Sequence, residues 1–313
     1  MQIAIPLGLG IFLVWYVYSL FTPEQVEQIV FHFKNANYWI VGLAVSMSVI
    51  SHILRSYRWN FMLEPLGYKP RLMNNFMAVS IAYLMNIFIP KSGEVSRAVV
   101  LSKYEGVPFD KGFGTIISER VVDMILLMIF TLIALFLQFD ALYTYITDSI
   151  PVMKIITAFA ALAVLGTVFL IFLKKSKGPL AMKIRIFVDG LKEGLFSIIK
   201  MKKKGLFILH SLIIWILYIA SFYTATHALE ETSAISAGVV IITFVVGSFT
   251  FAFTNSGFGF YPTAIMGILL VFGIASDVGF ALGWIVWTSN ILSILFFGAF
   301  SFLFLPIYNR NIS

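Results

Sequence analysis

Residues 72–104 read LMNNFMAVSIAYLMNIFIPKSGEVSRAVVLSKY, an apolar run interrupted at Pro90 and Gly93. Proline removes a backbone donor and glycine permits a tight turn, so the pattern predicts a helix, a break over residues 89–93 and a shorter helix. Basic residues lie on both sides of the first helix, at Arg55, Arg58, Lys69 and Arg71 before it and at Lys91, Arg97, Lys103 and Lys111 after it. Because lysine and arginine concentrate in cytoplasmic loops, both flanks are predicted to be cytoplasmic, which makes the stretch a re-entrant hairpin.

The rest of the chain has the composition of an integral membrane protein. Of its 313 residues, 60% are hydrophobic and 12% are charged, whereas soluble domains are about half apolar and about a quarter charged. A bilayer core about 30 Å thick needs roughly 20 apolar residues per helix. Stretches that predict full spans lie at 3–21, 38–54, 112–137, 152–173, 206–226 and 279–305. The first has no basic residues before it and no small-residue cleavage site, so it is predicted to be a retained span rather than a signal peptide.

The apolar stretch 235–275 predicts a second hairpin, broken where residues 255–259 read NSGFG. With both termini predicted to be cytoplasmic, the flanking residues Glu230, Glu231 and Asp277 are predicted to be external, so the stretch enters and leaves by the external face. The predicted fold class is therefore an all-α polytopic membrane protein with about six full transmembrane helices and two re-entrant hairpins. The alternative is eight plain transmembrane helices.

The chain is predicted to form a single transmembrane domain over 1–313, with pseudo-repeats over 1–137 and 152–308. Each repeat reads span, span, hairpin, span, and the two hairpins enter from opposite faces. Transporters built from inverted repeats bind substrate near the membrane midplane, at broken helices. Residues 174–205 predict a basic amphipathic helix on the cytoplasmic lipid surface. Both termini are predicted to be cytoplasmic, in a bacterial plasma (inner) membrane.

Ionisable residues outside the loops are concentrated after the first break, and they are Glu94, Arg97, Glu119, Arg120 and Asp123. Each charge placed in hydrocarbon costs roughly 2.5–3.5 kcal/mol, so these side chains need partners or water. Glu119 and Asp123 share one helical face, which suits an ion pair with Arg97, and Arg120 is turned away by about 100°. One interpretation is a pocket in which Arg97 and Arg120 attract a phosphate-bearing headgroup. The other is a structural salt-bridge network that holds the hairpin against the third full span.

Other candidate chemistry is sparse. Arg55 and Arg58 lie at a cytoplasmic span end, where arginine usually snorkels to the surface, and they are also candidate headgroup ligands. The four histidines have no metal-ligand spacing, so no metal site and no cofactor is predicted. The absence of cysteine excludes disulfides and thiol chemistry. The net charge of +7 comes from residues beside apolar spans, so no nucleic-acid partner is predicted.

Ordered motifs carry a resemblance to a known family. They are Arg55-x-x-Arg58-Trp59, then Asn86-x-x-x-Pro90-x-x-Gly93-Glu94-x-x-Arg97, then Glu119-Arg120-x-x-Asp123, then Gly257-Phe258-Gly259. Together they resemble the flippase-like transmembrane domain of lysylphosphatidylglycerol synthases over nearly the whole chain. The resemblance implies translocation of a lipid between leaflets, and the chain is expected to be a stand-alone member without the synthase domain.

One motif departs from the family's pattern, which usually reads Pro-Gly-Gly-x-Gly with a Glu three residues later. Here Asn255 and Ser256 replace the first two residues and Pro262 stands in place of the Glu. The resemblance therefore does not imply a cationic aminoacyl lipid as cargo.

The predicted function is flippase-like or scramblase-like transport of a phospholipid, a glycolipid or a polyprenyl-phosphate-linked lipid. The candidate headgroup-binding residues are Arg55, Arg58, Asn86, Glu94, Arg97, Glu119, Arg120 and Asp123, and the hairpin breaks are assigned to Pro90, Gly93, Gly257, Gly259 and Pro262. The predicted partners are membrane lipids with anionic headgroups. One alternative is a membrane-embedded transferase with Asp123 or Glu94 as base; no catalytic motif is recognisable, so an enzyme is the less favoured class. Another is an accessory subunit that holds a lipid-modifying enzyme through its basic loop.

Overall fold

The computed structural model describes residues 4–149, 201–254 and 256–310, with a few single positions between 150 and 200. Over these residues the chain is helical and contains no strand. The first helices are α1 Ala4–Ser19, α2 Pro23–Asn35, α3 Tyr38–Leu63, α4 Leu72–Phe88, α5 Gly93–Glu105, α6 Phe109–Leu137 and α7 Phe139–Ser149. The remaining helices described are α8 Lys204–Thr226, α9 Glu230–Ser233, α10 Ala237–Phe253, α11 Phe260–Val271 and α12 Ser276–Tyr308.

Four helices are long and apolar enough to cross a bilayer: α3 with the turn that follows it, α6, α8 and α12. They contain 29, 29, 23 and 33 residues and match four of the predicted spans. The first predicted span is the shorter helix α1, of 16 residues. The predicted span 152–173 and nearly all of the basic segment 174–205 lie outside the described residues, so these two predictions stay predictions.

The first predicted hairpin is present as a helix, a break and a helix. Helices α4 and α5 are antiparallel, because Arg71 before α4 lies 3.0 Å from Glu105 at the end of α5. At the break, the Gly93 N–H donates to Asn86 Oδ1 at 2.8 Å. A Cβ added at Gly93 would lie 2.2 Å from the carbonyl oxygen of Ala82. Only glycine therefore allows the two helices to approach this closely.

The second hairpin is formed by α10 and α11, and its break contains two glycines with left-handed backbone. Gly257 and Gly259 both have φ of 72°, a conformation that side chains with a Cβ rarely adopt. Pro262 does not lie in the break as assigned from the sequence. It stands in the first turn of α11, where a proline is tolerated because first-turn N–H groups have no helical partner.

Helix α12 contacts both hairpins in order along its length. From its N-terminal to its C-terminal end, the contacts join Gly283 to Pro262, Trp287 to Ser256, Gly298 to Leu84 and Asn309 to Asn74. The two hairpins therefore lie end to end along α12 and approach from opposite ends of the molecule. Their breaks meet, since Ser256 Oγ lies 3.5 Å from the carbonyl oxygen of Asn86.

The two ends of the molecule differ in charge. At the end that holds the base of the first hairpin, Lys203 Nζ lies 2.6 Å from Glu64. At the opposite end, the buried His32 ring lies 3.6 Å from Asp277 and 3.8 Å from Glu231. Lys69 and Arg71 also lie at the base of the first hairpin, each paired with a glutamate. Lysine and arginine therefore occur at the base of the first hairpin, whereas Glu231 and Asp277 lie at the opposite end beside His32.

Candidate functional site

The candidate site lies where α3, α5 and α6 converge, directly after the break of the first hairpin. We call it the ion network, and its members are Arg55 and Arg58 of α3, Glu94 and Arg97 of α5, and Glu119, Arg120 and Asp123 of α6. These are seven of the eight headgroup candidates identified in the sequence. The eighth, Asn86, lies at the break and caps Gly93.

Glu119 is the centre of the network and is 1% exposed. Its Oε1 lies 2.6 Å from Arg55 Nη1 and 3.0 Å from Arg58 Nη2, and its Oε2 accepts from Arg97 Nη2 at 2.9 Å. One carboxylate thus joins three guanidinium groups from two other helices. Charge-assisted bonds of this kind are stronger than neutral ones, and burial makes each partner costly to remove.

Asp123 extends the network along the same face of α6. Its carboxylate accepts from Arg55 Nη1 at 2.8 Å and from Arg58 Nη2 at 3.3 Å. The predicted ion pair between Arg97 and the shared face of Glu119 and Asp123 is therefore present, made through Glu119. Arg58 also donates to Ser211 Oγ at 2.6 Å, which ties α8 to the network.

Arg55 and Arg58 do not snorkel. They are 4% and 0% exposed, because α3 continues as a helix to Leu63 and carries both side chains inward, more than one turn before its end. The sequence indicated a span that ends at residue 54, where hydropathy falls, and so placed both arginines at the membrane surface.

Aromatic side chains pack against two of the buried arginines. The Arg97 guanidinium lies 3.7 Å from the centre of the Trp59 ring, and the Arg58 guanidinium lies 5.0 Å from that of Phe207. Trp59 is itself fixed by a hydrogen bond from its Nε1 to Thr115 Oγ1 at 2.8 Å. The negative face of a ring stabilises a cation in a site that excludes water.

The outer edge of the network faces a cleft. The side chain of Arg120 is 40% exposed and lies 3.0 Å from Glu94. It also lies 3.9 Å from the buried carboxylate of Asp123. We call this small, partly open cleft the outer cleft. Its lining residues are Val79, Ala82, Tyr83, Glu94, Arg97, Ile116 and Arg120.

The ion network carries an excess of positive charge. Four arginines face three carboxylates, so its net charge is +1. The buried Nε atoms of Arg55, Arg58 and Arg97 have no hydrogen-bond partner among the described residues. An anion bound at the exposed edge, beside Arg120, would balance the charge.

Several contributors to the site were missed in the sequence. Ser211 and Phe207 approach from α8, and Tyr83 lies on α4, where each looked like an ordinary residue of an apolar span. The Arg-x-x-Arg-Trp motif pointed to Trp59 without indicating its role. Among the described residues, no group of three or more histidine and acidic side chains could hold a metal ion.

Three curated proteins and one family are similar to the chain. The family described as Lysylphosphatidylglycerol synthase TM region matches residues 3–298. A UPF0104 membrane protein of Methanothermobacter thermautotrophicus is 23% identical over 319 residues, 93% of this chain and 89% of that protein. A UPF0104 membrane protein of Methanocaldococcus jannaschii is 30% identical over 120 residues, 37% of this chain and 36% of that protein. The glycosyltransferase AglD of Haloferax volcanii is 28% identical over 104 residues, 33% of this chain and 16% of that protein.

The long apolar helices define the class of the protein, which is a polytopic helical integral membrane protein. No solved structure matches it significantly. The chain belongs to the lysylphosphatidylglycerol synthase transmembrane-region family, because the family's pattern extends from residue 3 to residue 298. Membership of this family associates the chain with a lipid-related function in the membrane.

Proposed function

We propose that the protein moves a lipid with an anionic headgroup between the leaflets of a membrane. The observation that carries the proposal is the ion network, which has a net positive charge, is buried on its inner side and opens to a cleft at Arg120. Arginine binds phosphate through a planar fork of donors, so Arg97 and Arg120 are suited to a phosphate group. Charges in a membrane-spanning region are costly and are usually retained where they handle a polar substrate.

The arrangement of the hairpins supports transport rather than simple binding. The hairpin breaks meet midway along α12, and the ion network begins with Glu94, directly after the first break. In our proposal both hairpins are re-entrant, the first entering from the cytoplasmic side and the second from the external side, with both termini cytoplasmic. A headgroup could then pass between the hairpin breaks while its acyl chains stay in the bilayer.

Reconstitution tests the proposal directly. Liposomes that contain the purified protein and a fluorescent phospholipid are expected to show faster leaflet exchange than protein-free liposomes. Arg120→Ala is expected to slow the exchange about ten-fold or more, the equivalent of about 1.4 kcal/mol, because Arg120 is the arginine most exposed to the cleft. Lys69→Ala is the matched control, since Lys69 is 80% exposed and lies outside the network. A wild-type protein that accelerates no lipid of a broad anionic and zwitterionic panel would contradict the proposal.

A second candidate is a membrane-embedded transferase, favoured by the partial match to a protein named as a glycosyltransferase. Glu94 would be the base, because its side chain is 21% exposed in the outer cleft, whereas Asp123 is held by two buried arginines. Product formation in detergent, where no leaflets exist, separates this candidate from a transporter. If product forms and Glu94→Gln abolishes it, the protein is an enzyme.

A further inference from the structure

A second cavity lies on the other side of Tyr83 from the ion network. It is a small, partly open recess bounded by α3, α4 and α12. We call it the His52 pocket, and its lining residues are Val49, His52, Phe76, Ser80, Tyr83, Ser293, Ile294 and Phe297. It contains no residue of the ion network.

The lining of the His52 pocket is mostly apolar and opens outward. Val49, Phe76, Ile294 and Phe297 supply hydrocarbon surface and are all partly exposed. In a membrane-spanning region, a partly exposed apolar recess borders the acyl chains rather than water. The polar side chains of the lining are His52, Ser80, Tyr83 and Ser293, and the buried Nδ1 of His52 has no hydrogen-bond partner among the described residues. The lining contains no arginine or lysine, so an anionic headgroup would lose its hydration there without gaining a cationic partner.

Tyr83 connects the two cavities, because it lines both the outer cleft and the His52 pocket. Its ring packs against His52 with 4.7 Å between the ring centroids. On the outer-cleft side, Tyr83 is accompanied by Arg97 and Arg120, and on the other side by Phe76 and Phe297. A cationic site and an apolar site are therefore separated by one side chain.

We propose that the His52 pocket binds a hydrocarbon chain of the lipid whose phosphate group occupies the outer cleft, with Tyr83 at the boundary between the two. This inference rests on the proposed function, since it assigns a site to the other half of the same lipid. Phosphate and hydrocarbon chain are joined in one molecule, and the two cavities offer the matching chemistry side by side. Contact with the apolar side chains of the recess favours an acyl or isoprenyl chain over a water-soluble phosphate.

Photolabelling tests the assignment. An anionic phospholipid with a diazirine in its acyl chain is added to proteoliposomes, and the labelled residues are identified by mass spectrometry. Labels are expected at Val49, His52 or Phe297. Ser293→Trp, which fills the pocket, is expected to reduce them about ten-fold, the equivalent of about 1.4 kcal/mol. Leu292→Trp is the matched control, because Leu292 is the neighbouring residue and is 59% exposed on the outer surface.

The outcomes separate this inference from the proposed function. The pocket assignment is wrong if Ser293→Trp leaves the labelling of the pocket residues unchanged. It is also wrong if the labelling of each residue depends only on its exposure to bulk lipid. Either result counts against the pocket even if the wild-type protein exchanges lipids. If no lipid is exchanged but the pocket labels are present and sensitive to Ser293→Trp, transport is wrong and the chain site stands. If Ser293→Trp does not elute as a folded protein, Val49→Phe is used instead. It occupies the pocket from the opposite wall, and the same reduction of labelling is expected.

Discussion

At the scale of single residues, stability depends most on Glu119, because its carboxylate lies between three buried guanidinium groups. Glu119→Gln keeps the size of the side chain and removes its charge, which leaves Arg55, Arg58 and Arg97 with Asp123 as their remaining buried counter-ion. The expected loss is about 3–5 kcal/mol of folding free energy. It should be read from the unfolding midpoint of the purified protein in detergent.

The control for that prediction is Glu94→Gln. Glu94 is 21% exposed and pairs with the half-exposed Arg120, and exposed pairs contribute only about 0–1 kcal/mol. Equal midpoints for the two variants would show that Glu119 is not the structural centre of the network. If the buried part of the ion network stabilises the fold and its exposed edge binds the lipid, Glu119→Gln is expected to lower stability strongly. Arg120→Ala is then expected to reduce lipid transport.

Residue spacing was enough to predict part of the site. Glu119 and Asp123 are one helical turn apart, and this local geometry correctly placed them on one face towards Arg97. The contacts of Arg58 could not be predicted in this way, because Ser211 lies 153 positions further along the chain. Helical periodicity describes neighbours within an element and carries no information on which distant element supplies a partner.

At the scale of elements, Gly93 determines the first hairpin. A Cβ at this position would meet the backbone of α4 at 2.2 Å, so Gly93→Ala is expected to push α5 away from α4 and to cost about 1–3 kcal/mol, as overpacking does. Gly114→Ala in α6 is the control, since an added Cβ there meets nothing within 4 Å and alanine favours the helix. A comparison of unfolding midpoints is sufficient, and the prediction is wrong if Gly93→Ala is as stable as Gly114→Ala.

Both breaks were predictable because proline and glycine act locally, whereas helix lengths were not. The predicted span 38–54 stops where Arg55 lowers the hydropathy, but α3 continues to Leu63 because its arginines find partners inside the protein. Helix α2 was missed, although Thr22 and Gln25 form a capping box that the sequence already contains. Attention to apolar runs alone overlooks polar helices of this kind.

At the scale of the whole molecule, the end-to-end hairpins depend on contacts that no local pattern contains. Asn309 at the end of α12 exchanges hydrogen bonds of 2.9 Å with Asn74 at the start of α4, 235 positions away. Charge asymmetry nevertheless predicted that the hairpins enter from opposite sides. In the structure the base of each hairpin lies at a different end of α12, and the side of the membrane that each end faces stays a prediction.

The topology can be tested with single thiols, because the chain contains no cysteine. Lys69→Cys and Lys103→Cys lie at the base of the first hairpin, and the ion pair between Arg71 and Glu105 holds this base together. Both thiols are therefore expected to react with a membrane-impermeant maleimide from the cytoplasmic side only. Ala237→Cys and Ala275→Cys, at the base of the second hairpin, are expected to react from the external side only. If Lys69→Cys and Lys103→Cys are instead labelled from different sides, the chain must cross the membrane between these two positions. The first hairpin would then not be re-entrant, and the route proposed for the headgroup would not exist.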